Sequence, residues 1–288
     1  MKTTKTIIRN FAVATIVSGL AMCAHAQYLN GTLDAAFYGN ALAVQTANTG
    51  FGSGPASSGG NQLDAAYGQI SGGNLYLFFA GNTSDGNFLD VFIADGRAGQ
   101  STFNVSSGAT TAMNGSVFSP GFLATFSVNA NTYAGTMYPN AYDLVNNVGG
   151  YTGSGIADGG GTISGAPAGN GIQLAVNESS PAGSGVNTGA GALTVMTGWE
   201  MAIPLSLLGN PTSVKVLADI NGNPDNYLSN QFLPGLPDGT PNLGNGGVFN
   251  FGSTSGEYFT VSAVPEPSTL AICGLSGLAM LFAVRRQK

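Results

Sequence analysis

The chain has 288 residues, 45 of them glycine, with 8% charged residues and a formal net charge of −6. That length allows one sizeable domain, and that charge disfavours nucleic acid or anionic lipid as a partner. The two cysteines and the single histidine fall near the ends, at Cys23, Cys273 and His25. The long stretch between them therefore offers no disulfide framework, no zinc site built on His or Cys, and no histidine base or triad.

At the start, Lys2, Lys5 and Arg9 precede an apolar run from Phe11 to Met22, and Ala24-His25-Ala26 precedes Gln27. This order predicts a secretory signal peptide over 1–26, passed through the translocon and removed by signal peptidase. The core is expected over 27–263. Its bases are Arg97 and Lys215, against thirteen acids, a net of −11. Such a core suits solubility outside the cytoplasm and divalent-cation binding.

Helix-period patterns are nearly absent from the core, and short apolar runs alternate with Gly/Asn turns. The expectation is an all-β protein with a single, jelly-roll-like β-sandwich. Leu33-Asp34-Ala35-Ala36-Phe37-Tyr38-Gly39 is echoed by Leu63-Asp64-Ala65-Ala66-Tyr67-Gly68, which reads as two similar entries into strands. Asn74 to Ala80 is apolar on both faces, as in a central strand. Phe88 to Ala94 follows it, and the pair reads as a long hairpin. Leu89, Val91 and Ile93 share one face there, with Phe88, Asp90 and Phe92 on the other. Asp90 between two phenylalanines reads either as a carboxylate met by backbone or hydroxyl donors or as a cation ligand.

Val117 to Val128 continues the strands, and Gly171 to Val176 forms one strand between Gly/Ser/Asn-rich loops. Leu193 to Ile203 alternates, which puts Trp199 with Met201 and Ile203 on an apolar face and Glu200 on the other. Pro204 to Gly209 reads as one helical turn. Val214 to Ile220 is a strand, and Gly247 to Phe251 and Tyr258 to Ala263 close the domain. Asp219, Asn221, Asn223 and Asp225 put oxygen side chains at alternating positions around Gly222. This pattern fits either a calcium loop, calcium being the one cofactor expected, or an ordinary β-turn. Glu200, Asp90 and Asp219 are the acids from which a glycosidase pair would have to be drawn. Tyr133, Tyr138, Tyr142 and Tyr151 are the candidates for a sugar-binding surface.

The end of the chain, 264–288, has three parts. Val264-Pro265-Glu266-Pro267-Ser268-Thr269 comes first, then an apolar run from Leu270 to Val284, then Arg285-Arg286-Gln287-Lys288. Two prolines around Glu266 favour an extended, accessible segment. At ~1.5 Å per residue the apolar run spans ~24 Å as a transmembrane helix, short of a roughly 30 Å bilayer core. Snorkelling and local thinning absorb the difference, and the basic end marks the cytoplasmic side. The tail resembles the PEP-CTERM sorting signal of Gram-negative bacteria, with Pro265-Glu266-Pro267 as its namesake triplet and Arg285 and Arg286 in its basic end. The resemblance implies a transient inner-membrane anchor, an exosortase-type protease-transpeptidase as partner, and release to the cell surface or beyond. With no catalytic residues evident, it implies a non-enzymatic surface or matrix protein, associated with biofilm exopolysaccharide.

A second resemblance is spread over the core. Leu33-Asp34-Ala35-Ala36, Asn74-Leu75-Tyr76, Asp90-Val91-Phe92-Ile93 and Trp199-Glu200-Met201-Ala202-Ile203-Pro204 together are similar to family 9 carbohydrate-binding modules and related DOMON-like sandwiches. This implies the sandwich fold and a possible polysaccharide partner. That family grips sugar between two tryptophans, however, and this chain has one.

Overall fold

The computed structural model describes residues 27–263, apart from 52–60, 84–85, 152–155, 158–160, 163–170, 179–187, 245–248 and 255. The expected signal peptide and the sorting tail with its apolar run lie outside the described residues. Among the described residues, no helix is long and apolar enough to cross a membrane.

The strands in chain order are β1 (Ala43–Val44), β2 (Gln62–Ser71), β3 (Asn74–Asn82), β4 (Phe88–Ala94), β5 (Phe126–Tyr133), β6 (Thr136–Asp143), β7 (Val148–Tyr151), β8 (Ile156–Ala157), β9 (Gly161–Thr162), β10 (Gln173–Val176), β11 (Gly198–Pro204), β12 (Ser213–Gly222), β13 (Tyr227–Leu233) and β14 (Phe259–Ser262). They form two antiparallel sheets. The first runs β1-β2-β3-β11-β10-β9 and the second β13-β12-β4-β5-β6-β7, with β14 also on β12 and β8 also on β6.

The sheets face each other across one apolar layer. Leu75, Leu77 and Phe79 of β3 and Trp199, Met201 and Ile203 of β11 share this layer with Leu89, Val91 and Ile93 of β4 and Val216, Ala218 and Ile220 of β12. The period of two in each strand delivers these residues to one side. Unusually for an antiparallel sandwich, the outer faces are covered as well. Leu33 and Tyr38, from the segment before β1, pack on Tyr67, Tyr76 and Phe78 outside the first sheet. Outside the second sheet, Phe103, Phe118, Phe122 and Phe251 pack on Phe92 and Leu217, with Phe118 stacked on Phe251 at 5.3 Å between ring centroids.

Four sequence expectations need correcting. β3 and β4 are not a hairpin: β3 pairs with β2 and β11, and β4 with β12 and β5. Each has its own inward apolar row, so the chain crosses from one sheet to the other between them. The two echoed segments also differ in structure. Asp34 caps a helical turn, Ala35–Tyr38, by accepting from the Ala36 and Phe37 N–H groups. Asp64, by contrast, is the extra residue of a bulge in β2, between Leu63 opposite Gly81 and Ala65 opposite Ala80. Strand β5 begins only at Phe126, and Val117 to Ala124 makes isolated bridges. Strand β11 begins only at Gly198, after a 3-10 turn that leaves Leu193 exposed. The helical turn after Pro204 forms as expected, over Leu205–Leu208, and ends at Gly209 with φ +74°.

Trp199 is fully buried. Its Nε1 donates to Thr83 Oγ1 at 2.9 Å, and that hydroxyl donates to Glu178 Oε1 at 2.7 Å. Cutting a buried aromatic back to alanine typically costs about 3–5 kcal/mol, a large part of a domain stability of about 5–15 kcal/mol. Trp199→Ala is therefore expected to lower the urea midpoint sharply or prevent folding. Native tryptophan emission should be blue-shifted and poorly quenched by iodide. An unchanged midpoint with red, readily quenched emission would place the ring at the surface.

Candidate functional site

The outer face of the second sheet carries a polar row that crosses four strands. Asp219 of β12 lies opposite Asp90 of β4, Asp90 opposite Asn129 of β5, and Asn129 opposite Asn140 of β6. The alternation that sends Leu89, Val91, Val128 and Ala141 inward necessarily sends these residues outward. The outward face is nonetheless closed: Asp90, Asp219 and Asn129 are at most 1% exposed. Asp225, also fully buried, joins from the turn after β12. Its φ of +71° is a left-handed conformation that Asp tolerates better than most residues, and its N–H donates to the Gly222 carbonyl.

Asn129 organises the cluster. Its Nδ2 donates to Asp90 Oδ1 and, at 2.8 Å, to Asp225 Oδ2. Asn140 Nδ2 donates to Asn129 Oδ1 at 2.9 Å, which fixes the amide's orientation. Asp219 and Asp225 both reach Asp90 within hydrogen-bonding range. Asp90 Oδ2, Asp225 Oδ1 and both oxygens of Asp219 meet no N–H or O–H donor. Asn221 Nδ2 faces Asp90 without forming a well-aligned hydrogen bond, while Asn221 Oδ1 accepts from the Tyr227 N–H at 2.9 Å.

Burial raises the pKa of Asp90 to about 6, although the facing side chains, Asn129 first, pull it back down. Burial first, and then the Asp90 charge, push Asp219 and Asp225 well above the usual carboxylate range. Asp90, with Asp219 and Asp225 both against it, cannot share full charge with them without a cation among them. Arg97 is paired with Asp95 at 2.6 Å, and Lys215 donates to the Gly121 carbonyl at 2.5 Å. As the side chains stand, no group of three His, Cys, Asp or Glu among the described residues is arranged to hold a metal ion.

The structure thus brings together Asp219, Asn221 and Asp225 of the expected loop, but not Asn223. Asn223 is exposed, and its N–H donates to Asn87 Oδ1. Asp90 proves to be met by an amide and two acids rather than by backbone or hydroxyl donors. Asn129 and Asn140 went unread because Ser127-Val128-Asn129-Ala130-Asn131 alternates as a solvent-facing strand would. Glu200 lies on the outer face of the other sheet. It accepts from the Asn30 and Gly31 N–H groups at 2.8 and 3.1 Å and from Tyr38 Oη at 3.0 Å. It therefore cannot pair with Asp90 or Asp219 across the core, and contact between the latter two leaves no room for a sugar. Of the candidate tyrosines, Tyr133 is exposed and Tyr142 is buried, with its hydroxyl donating to the Ser107 carbonyl. Pro265, Glu266, Pro267, Arg285 and Arg286 lie outside the described residues.

The fold and site define a mostly β, sandwich-like core with closed acidic chemistry. Comparison with known proteins adds the address: the PEP-CTERM protein-sorting motif matches residues 263–287. That motif implies an exported, cell-surface-associated protein processed by an exosortase. No curated protein and no solved structure matches the chain.

A second buried acid stands apart from this cluster. Asp64 is fully buried in its bulge, with both carboxylate oxygens lacking a donor, and burial alone raises its pKa to about 8. Its unfolded value is about 3.9. Between these values the folded state holds a proton that the unfolded state has released. Stability therefore falls as pH rises from about 4 to about 8, then levels off. Asp64→Asn should match the wild type at pH 4 and exceed it by more than about 1 kcal/mol at pH 8. Urea denaturation at the two pH values measures the difference. Parallel losses in both proteins would mean that Asp64 is hydrated and ionised in the fold.

Proposed function

We propose that this chain is a non-enzymatic component of the cell surface or extracellular matrix, delivered there through its sorting motif. The motif over 263–287 carries the reading. The core supports it by what it displays. Its bases are both engaged, its one tryptophan is buried, Asp90, Asp219 and Asp225 are closed off from solvent, and Glu200 is tied to backbone N–H groups. A double-faced sandwich with Gly- and Asn-rich connections suits a durable module held in a polysaccharide matrix.

The sorting step is tested first. Replacing Pro265-Glu266-Pro267 with three alanines should leave a longer, membrane-retained species, read by cell fractionation and intact mass. A variant of unchanged mature mass on the surface would overturn the role of the triplet. The matrix role is tested with the exported protein on a glycan array and in biofilm extracts. Matrix retention without defined sugar hits supports a structural component. Discrete hits would make it a carbohydrate-binding module, and soluble-product release from polysaccharide would make it an enzyme.

A further inference from the structure

We propose that Asp90, Asp219 and Asp225, brought together from β4, β12 and the turn after β12, form the site of one calcium-type divalent cation. The carboxylates are at most 1% exposed, and their oxygens divide into two sets. Asp90 Oδ1 and Asp225 Oδ2 are held from one side by a single amide, Asn129 Nδ2, which Asn140 in turn orients. Asp90 Oδ2, Asp225 Oδ1 and both oxygens of Asp219 have no donor. An amide that fixes the back of two carboxylates while their other oxygens stay unmet is the arrangement of ligands with an outer shell already in place.

Charge supports the same reading. Leaving several carboxylate oxygens buried and unpaired is costly, and the two bases of the core are engaged elsewhere. A divalent ion neutralises two of the three charges, and the facing amides of Asn129 and Asn221 stabilise the remainder. As the side chains stand, no three acids among the described residues are set around a common ion position, so the carboxylates must turn for the ion to enter. Calcium sits about 2.3–2.6 Å from its oxygens, so neighbouring ligand oxygens lie roughly 3 Å apart. Asp219 and Asp225 each interact with Asp90, so Asp90 is the carboxylate about which the ligands gather. An all-oxygen, His-free and Cys-free donor set excludes a preference for zinc, and three carboxylates buried to 1% exposure or less suit calcium better than magnesium, which keeps several of its waters. The site belongs to the sheet rather than to the 219–225 loop, because Asp90 enters from a neighbouring strand and Asn223 points away.

The test uses the exported protein, stripped with EDTA and returned to CaCl2 or MgCl2. Native mass spectrometry should show one calcium per chain. At a hundredfold excess over Kd the melting temperature should rise by roughly 5–10 °C, with a smaller response to magnesium. Asp90→Asn should abolish the calcium shift, and Asn223→Ala should keep it. The reverse pattern would return the ion to the loop and overturn the sheet site. If Asp90→Asn does not fold, the wild-type measurements decide: no bound calcium at millimolar concentration and identical melting with and without EDTA would overturn the proposal.

Discussion

The scarcity of positive charge constrains everything else in this core. Thirteen acids share two bases, in a sandwich whose sheets are covered on both faces. An acid taken inside must therefore be met by something other than lysine or arginine. Mostly the fold uses its own N–H and O–H groups. Glu200 takes two backbone N–H groups and a tyrosine hydroxyl, Glu257 takes the Ser119 N–H, and Glu178 takes the hydroxyls of Thr83 and Thr132. Asp95 alone has an arginine. These pairings tie loops to strands, so the acids act as fasteners. Where donors run out, at Asp64 and at the Asp90, Asp219 and Asp225 cluster, the fold leaves carboxylates that only protons or a cation can satisfy.

Most strands were legible because a two-residue period survives burial on one side. Leu89, Val91 and Ile93 point inward as their spacing says, as do Trp199, Met201 and Ile203. Partner choice was not legible. β3 and β4 have the same kind of apolar row, and nothing local distinguishes a turn back from a crossing to the second sheet. Leu33-Asp34-Ala35-Ala36 and Leu63-Asp64-Ala65-Ala66 make the point sharply. One is a capped helical turn and the other a bulged strand, because Tyr38 has a groove to fill while Leu63 has a neighbouring strand.

The acidic cluster was half legible. Asp219, Asn221 and Asp225 stood out by spacing within one turn. Asp90 stood out by its phenylalanine neighbours, yet the link between them is made by register alone, since Asp219 lies opposite Asp90. The asparagines on β5 and β6 gave the opposite signal. Polar alternation normally marks a wet face, and here an aromatic layer around Phe103, Phe118 and Phe251 covers much of that side.

The Glu200 contacts bear on the order of assembly. Asn30 and Gly31 bond to a residue about 170 positions later, and β3 finds β11 across a gap of about 120. A chain that emerges N-terminus first exposes Tyr38, Phe78 and their neighbours long before Glu200 is available. The first sheet cannot close during that interval, since its central pairing and the latch over it both wait for the later half. Completion of the first sheet therefore depends on the later half of the chain. The early half must stay unaggregated meanwhile, and its glycine-rich, acidic composition suits it to that wait.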